Sequence, residues 1–228
     1  MGGGRGRPFS LMTEIITVNQ HHEVLPAWER CAVTCGRSPQ VLTLDFHTDV
    51  LDCRKRGIEL PETAATAVKL LHHDEHFDWA LRKNIISRAV IIALSPCPVP
   101  PDHPMLEVRR NVSLPDMDTM LNDAENFRPL AETVLDDSFL APLLTGDFPA
   151  GPYILDIDCD CVMCRKALSP RNSGIIRRLA QNAQLITLSA ENDWVRILKL
   201  PGEEISGDFI AAELALLLGY PENAVHQK

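Results

Sequence analysis

The sequence predicts an α/β domain of three layers, with a mostly parallel, doubly wound sheet between helices. Short runs rich in β-branched residues, at 14–18, 40–44, 89–94, 153–155 and 184–188, alternate with segments of helical period. These runs are apolar on both faces, as strands covered on both sides must be. Helix start and stop signals also fall between the runs: Pro26 and Gly36, Ser169 before Pro170, and Gly219.

In chain order, the first strand (EIITV, 14–18) ends at Asn19-Gln20-His21-His22, and a helix follows from Pro26 to a stop at Gly36. The second strand, 40–44, runs straight into Asp45-Phe46-His47-Thr48-Asp49. A polar connection at 53–61 leads to a helix over 62–71, the cluster His72-His73-Asp74-Glu75-His76, and more helix over 77–83. The third strand, 89–94, precedes five prolines within 95–104, which require an irregular loop. Residues 105–114 read as an edge hairpin or ribbon, and 116–144 as helical pieces broken at Pro129 and Pro142. Tyr153-Ile154-Leu155 is the next strand and ends in Asp156-Ile157-Asp158-Cys159-Asp160. Ser169-Pro170 opens a helix to Ala183, and the strand 184–188 ends at Ser189-Ala190-Glu191-Asn192. Asn192 or Asp193 caps a short helix, and Ser206 or Asp208 caps the last one, 209–218. Residues 13–228 are expected to form a single domain behind a disordered glycine-rich tail, 1–12. Residues 95–150 would be a variable insertion able to cover the site.

A net charge of −9 argues against a non-specific nucleic-acid binder and would help steer a cationic substrate. Seven cysteines cannot all pair within the chain. Without a secretory signal, free thiols in a reducing, cytoplasmic setting are expected. No apolar run is long enough to span a bilayer, so no membrane partner is expected. A homo-oligomer is compatible with the sequence.

Four strand ends carry polar clusters: His21-His22, Asp45/His47/Asp49, Asp156/Asp158/Asp160 and Glu191. Ligands of open α/β sheets bind outside these carboxyl ends. Alternate side chains of an extended segment point the same way, so Asp45, His47 and Asp49 converge on one point. Taken alone, that motif reads equally well as a turn ending a strand with an incidental histidine. Two such motifs on two strands favour a metal. The oxygen-rich set suits Mn²⁺ or Mg²⁺, and imidazole adds Fe or Zn. So many carboxylates are better balanced by two dications than by one, about 3.5–4 Å apart in known hydrolytic pairs. Cys159, Cys161 and Cys164 read as buried free thiols more readily than as a thiolate site, since no second CxxC partner exists. The cluster at 72–76 reads equally as a solvated helix start and as catalytic.

These residues resemble the ureohydrolase superfamily of arginases, agmatinases and related deacetylases. Asp45-Phe46-His47-Thr48-Asp49 looks like the arginase Asp-Ala-His-Thr-Asp motif, and Asp156-Ile157-Asp158 like its Asp-Val/Ile-Asp motif. The match is closer to the branch of peptide arginases, which convert arginine to ornithine within ribosomally made precursor peptides. Its His-x-Glu-x-Leu-Pro pattern is found here as His21-His22-Glu23-Val24-Leu25-Pro26, and 72–81 resembles its next shared segment. The resemblance implies an arginase-like fold and two Mn²⁺ per chain. Asp45 and Asp156 would bridge the ions, with His21 and Asp49 completing one site and His47 and Asp158 the other. His22 competes with His21, and the pattern favours His21. The resemblance also implies that Asp49 carries a proton to the leaving amine and that Glu191 holds the substrate guanidinium. His76, Glu75 or Asp74 would supply an acid or orient the substrate. The first motif lacks the Gly-Gly-Asp before the histidine and the second lacks Asp-Pro, which departs from enzymes of free arginine. The expected reaction is therefore hydrolysis of arginine side chains in a precursor peptide, with urea released. A mononuclear zinc amidohydrolase of the deacetylase type and a non-catalytic metal- or peptide-binding module are the competing functions.

Overall fold

The computed structural model describes residues 13–57, 59–95, 101–110, 124–146, 148–221 and 226–227. A parallel sheet of seven strands runs through it in the order β4-β3-β2-β5-β6-β1-β7. The strands are β1 (Glu14–Val18), β2 (Gln40–Asp45), β3 (Arg88–Ala93), β4 (Leu106–Arg109), β5 (Tyr153–Asp158), β6 (Leu185–Ser189) and the two-residue β7 (His226–Gln227). Every described pairing is parallel. The expected three-layer α/β architecture is therefore observed.

Each face of the sheet has its own apolar cluster. On one face, α1 (Leu25–Cys35), α2 (Ala64–Leu70) and α3 (His76–Arg82) cover Ile16, Val41, Ile91, Ile154 and Leu185 with Trp28, Ala67 and Phe77. On the other, α4 (Ala124–Ala131), α5 (Asp137–Leu140), α6 (Gly174–Asn182), α7 (Asn192–Leu198) and α8 (Gly207–Leu218) cover Ile15, Leu42, Ile92, Leu155 and Ile186. The assignment alternates residue by residue along each strand, as the pleat requires.

After β2 the chain moves outward to β3 and β4, and after β5 it moves the opposite way to β6. The switch point of this doubly wound sheet therefore lies between the carboxyl ends of β2 and β5, where a crevice opens.

Leu106–Arg109, within the expected edge hairpin or ribbon, is a strand that pairs in parallel with β3, and residues 111–114 lie outside the described residues. The structure corrects one local expectation. The helix expected from Pro170 begins at Gly174. There the Asp137 carboxylate accepts the N–H of Ile175 at 2.7 Å, so a carboxylate from α5 serves as its cap and overrides the local Ser-Pro signal. Within 95–150, the described helices send Phe127, Phe139 and Leu140 into the core, and the turn between them adds Val134. The expected tail, 1–12, and much of the proline-rich loop lie outside the described residues. Among the described residues, no helix is long and apolar enough to cross a membrane.

Candidate metal centre

On the α1–α3 face, the carboxyl halves of the central strands carry polar residues where apolar ones would otherwise sit. β2 presents Thr43 and Asp45, β5 presents Asp156 and Asp158, and β6 presents Thr187 and Ser189, all buried. The register places Thr43, Asp156 and Thr187 side by side. One step further on, Asp45 comes beside Asp158, which pairs with Ser189.

The first row is closed on itself. Asp156 Oδ2 accepts from Thr43 Oγ1 at 2.7 Å and from His21 Nε2 at 2.7 Å, and its Oδ1 accepts from Thr187 Oγ1 at 2.5 Å. Trp28 Nε1 donates in turn to Thr187 Oγ1. Burial alone would raise the Asp156 pKa, but His21 and the two threonines outweigh it and hold the carboxyl below the usual range.

The second row is open. Asp45 Oδ1 accepts the N–H of His47, while its buried Oδ2 accepts no hydrogen bond among the described residues. Asp158 Oδ1 accepts the N–H of Asp160, and Asp160 Oδ1 accepts the N–H of Phe46. Each of the three carboxylates thus uses one oxygen to fasten backbone and leaves the other for the interior. Burial, followed by the neighbouring carboxylates, pushes Asp45 and Asp158 well above the ordinary carboxylate value. Such a set of acids is costly without a cation.

His21 sits on a 3-10 turn, His21–Val24, directly after β1. Glu23 Oε2 accepts the N–H groups of Asn19 and Gln20, closing the turn. The His21 N–H donates to Glu191 Oε1 at 2.6 Å. Its Nδ1 lies 3.0 Å from Asp49 Oδ2, 3.2 Å from Asp158 Oδ2 and 3.6 Å from Asp45 Oδ2. Burial works to lower its pKa, but Asp156 and Asp158 outweigh burial and raise it well above the ordinary value. Its ring nitrogens thus lie where the surrounding carboxylates favour positive charge.

Three donor groups with a metal-compatible spread overlap here: His21, Asp49 and His76; His21, Asp45 and Asp158; and Asp45, His47 and Asp160. Within each group the potential ligand atoms all lie within 4.8 Å of one another. Asp45 is shared by the second and third. The residues fit a metal centre on two grounds, a fully buried carboxylate oxygen with no hydrogen-bond partner and a donor set of carboxylates with imidazoles. A fourth group, Asp52, Cys53 and Asp78, is already balanced by Arg54 and Arg82. None of the four groups includes Cys159, Cys161 or Cys164, which are buried free thiols.

The other expected site residues divide between the centre and elsewhere. His22 turns away, its Nε2 donating to the Val68 carbonyl. Glu75 is buried, its Oε2 accepts the N–H of His72 and faces Arg56, and it belongs to none of the donor groups. His76 donates from Nδ1 to the His73 carbonyl at 2.6 Å, leaving its buried Nε2 unpartnered. Burial and then the His21 charge lower its pKa to about 3, so it is a neutral imidazole. Glu191 is pinned to the His21 backbone, and burial pushes its pKa up. Asp49 and Glu191 both occupy left-handed backbone, φ 47° and 42°, which costs a non-glycine residue and collects at functional sites.

Beside the donors lies a cavity of about 230 Å³ lined by His47, Thr48, Asp49, Asp74, Ser95 and Trp194, among others. The Trp194 ring meets His47 edge-on at 4.7 Å. Asp74 Oδ1 is buried there without a hydrogen-bond partner among the described residues. A larger cavity, about 500 Å³, lies at the opposite end of the sheet, against Arg37, Tyr153 and Arg178, remote from these donors. Sequence reasoning placed Asp160 at the strand end but outside the ligand set, although its alternate spacing was visible. Nothing in the sequence marked Trp194.

No protein-family model and no curated protein matches the sequence. Among solved structures, the chain is similar to a proclavaminate amidino hydrolase from Streptomyces clavuligerus, at 16% identity and a TM-score of 0.47. That match covers 93% of this chain and 64% of the other. It is also similar to a quadruple and a double mutant of a T. brucei arginase-like protein, each at 13% identity and a TM-score of 0.39, covering 91% of this chain and 59% of the other. The chain thus spans less than two thirds of the length of each of these proteins. The three-layer architecture stands on its own strand order and register.

Proposed function

We propose that the protein is a binuclear manganese hydrolase that converts arginine side chains of a ribosomally made peptide to ornithine and releases urea. The observation that carries this reading is the set of overlapping donor groups at the sheet's switch point, two of which share the unsatisfied carboxylate of Asp45. The motif resemblance to peptide arginases and the adjoining cavity support it.

His21, Asp45, His47 and Asp49 would hold the metals together with carboxylates at the end of β5. Bound dications of this kind supply a nucleophile at neutral pH by lowering the pKa of water. The cavity is smaller than a typical small-molecule pocket, which suits the entry of one side chain from a larger substrate. Asp74 offers an acceptor for a guanidinium, and Trp194 lines the same cavity, where an indole could meet a cation. Asp49 faces both His21 and the cavity, so it can pass a proton to the leaving amine. His76, neutral and already donating from Nδ1, has only the Nε2 lone pair to offer, which suits accepting or ligating rather than acid catalysis. In the net reaction, water adds to the guanidinium carbon, the bond to the side-chain nitrogen breaks, and that nitrogen leaves as ammonium.

Incubating the Mn²⁺-loaded protein with an arginine-containing peptide should release urea and leave ornithine, read by mass spectrometry. Absence of urea from every arginine peptide and from free arginine rejects the reading. A second reading, a mononuclear zinc amidohydrolase, is favoured by one observation. His21, His76 and Asp49 alone form a set of two imidazoles and a carboxylate, as catalytic zinc uses. One Zn²⁺ per chain, in place of two Mn²⁺, would select it.

A further inference from the structure

The three aspartates at the end of β5 are spaced two residues apart, Asp156 and Asp158 on the α1–α3 face of the strand and Asp160 on the 3-10 turn that follows it, so two different pairs could serve two metals. The motif resemblance selects Asp156 and Asp158. We infer from the geometry that the pair is Asp158 and Asp160, two residues further along the chain, and that Asp156 is a positioning residue for His21. This rests on the metal-centre reading above.

The argument is one of satisfied and unsatisfied oxygens. Asp156 is fully buried and already accepts three donors, from Thr43, Thr187 and His21. Three of the roughly four acceptor positions of this carboxylate are thus taken, and a metal would have to crowd in beside buried hydroxyls that have no water to turn to. Its contact with His21 falls on Nε2, which leaves Nδ1 directed at Asp49, Asp158 and Asp45. A carboxylate that holds the far nitrogen of a ligating imidazole fixes its tautomer and orientation.

Asp158 and Asp160 show the opposite pattern. Each has one oxygen fixed by a backbone N–H, from Asp160 and Phe46 respectively. The other oxygen of Asp158 lies 3.2 Å from His21 Nδ1. The other oxygen of Asp160 lies 2.9 Å from His47 Nδ1, off the line of a hydrogen bond. Asp45 Oδ2, buried and unpartnered, stands between them, with Asp158 and His21 in one donor group and with Asp160 and His47 in the next. Ser189, beside Asp158, adds a buried hydroxyl without a hydrogen-bond partner. The polar groups in the row of Asp156 satisfy one another, and those in the row of Asp158 do not. On this placement one ion draws on His21, Asp49, Asp45 and Asp158, and the other on His47, Asp45, Asp158 and Asp160.

The test is Mn²⁺ stoichiometry and affinity in the full chain, by elemental analysis after gel filtration and by titration calorimetry. The wild type should hold two Mn²⁺, and Asp160→Asn should hold one. Asp156→Asn should hold two, with affinity weakened by about 10–100-fold. A spectroscopic reading separates positioning from mere packing. With Cd²⁺ as a diamagnetic probe, the downfield Nε2–H resonance of His21 should persist on loading in the wild type and be lost in Asp156→Asn while the far-UV circular dichroism stays unchanged. Two ions of unchanged affinity in Asp160→Asn, or outright loss of one ion in Asp156→Asn, overturns the placement and leaves the metal-centre reading intact. If Asp156→Asn does not fold, Asp160→Asn decides alone. A wild type that binds no Mn²⁺ overturns the metal centre itself and this placement with it.

Discussion

Glu191 Oε1 accepts the backbone N–H of His21 at 2.6 Å, so a residue two places past β6 fixes the turn that follows β1. The carboxylate that resemblance assigns to the substrate is thereby tied to the framework of the centre. Glu191→Ala is expected to weaken Mn²⁺ binding by about tenfold or more, because the His21 turn loses its anchor. Glu191→Gln keeps an acceptor oxygen and should restore metal affinity while lowering the affinity for a cationic peptide. Calorimetry with Mn²⁺ and steady-state kinetics together separate these. Unchanged metal affinity in Glu191→Ala would return Glu191 to a purely substrate-facing role.

Trp194 forms one wall of the cavity and packs against His47 in a T-shaped pair. Trp194→Ala should raise KM for an arginine peptide by about 3- to 30-fold, the range expected for a partly desolvated cation over an indole. Mn²⁺ content should not change. Trp194→Phe should recover most of the loss. Equal KM values for all three proteins would remove the aromatic wall from substrate recognition.

His76 gives a pH dependence whose sign is fixed. Burial and the His21 charge depress its folded-state pKa to about 3, from an ordinary value of 6.5. The unfolded chain therefore binds a proton between those values that the folded chain refuses, and stability falls as pH drops through that window. The loss amounts to at most about 1.4 kcal/mol per pH unit. His76→Gln removes this contribution. Its stability relative to wild type, measured by urea denaturation, should improve steadily from pH 6.5 toward pH 4. A constant difference across that range would show that His76 titrates normally.

Gly207 begins α8 against the backbone of Ala190. A Cβ at this position would lie 1.6 Å from the Ala190 carbonyl oxygen, which no side-chain movement can relieve. Gly207→Ala should cost more than about 4 kcal/mol, or prevent folding, since it displaces the segment that carries Glu191. Ser206→Ala, which removes only the side-chain cap on the Phe209 N–H, should cost about 1 kcal/mol. Similar denaturation midpoints for the two variants would contradict this.

The central strands were legible because their apolar runs are short, β-branched and bounded by helix signals. β1, β2, β3, β5 and β6 all lie where those runs placed them. The direction of β4 was not legible, because four residues of mixed polarity carry no mark of parallel or antiparallel pairing, and its partner β3 decides that. The start of α6 was misplaced because its cap, Asp137, comes from another helix. At the centre, His21, Asp45, His47, Asp49 and Asp158 do converge. Glu75 does not join them, since its oxygen is taken by the local N–H of His72 and by Arg56. Trp194 was invisible because its partner His47 lies far away in the chain.

Thr43 and Thr187 carry a consequence larger than their size. Asp156, Asp158 and Asp160 are the same residue repeated at one spacing, and nothing in their own chemistry ranks them. Two hydroxyls on the flanking strands engage Asp156 and leave the other two aspartates to the centre. The address of the centre along β5 is thus written on its neighbours. Moving that pair of hydroxyls one pleat along β2 and β6 is the change by which such a protein would slide its chemistry along an otherwise unaltered strand.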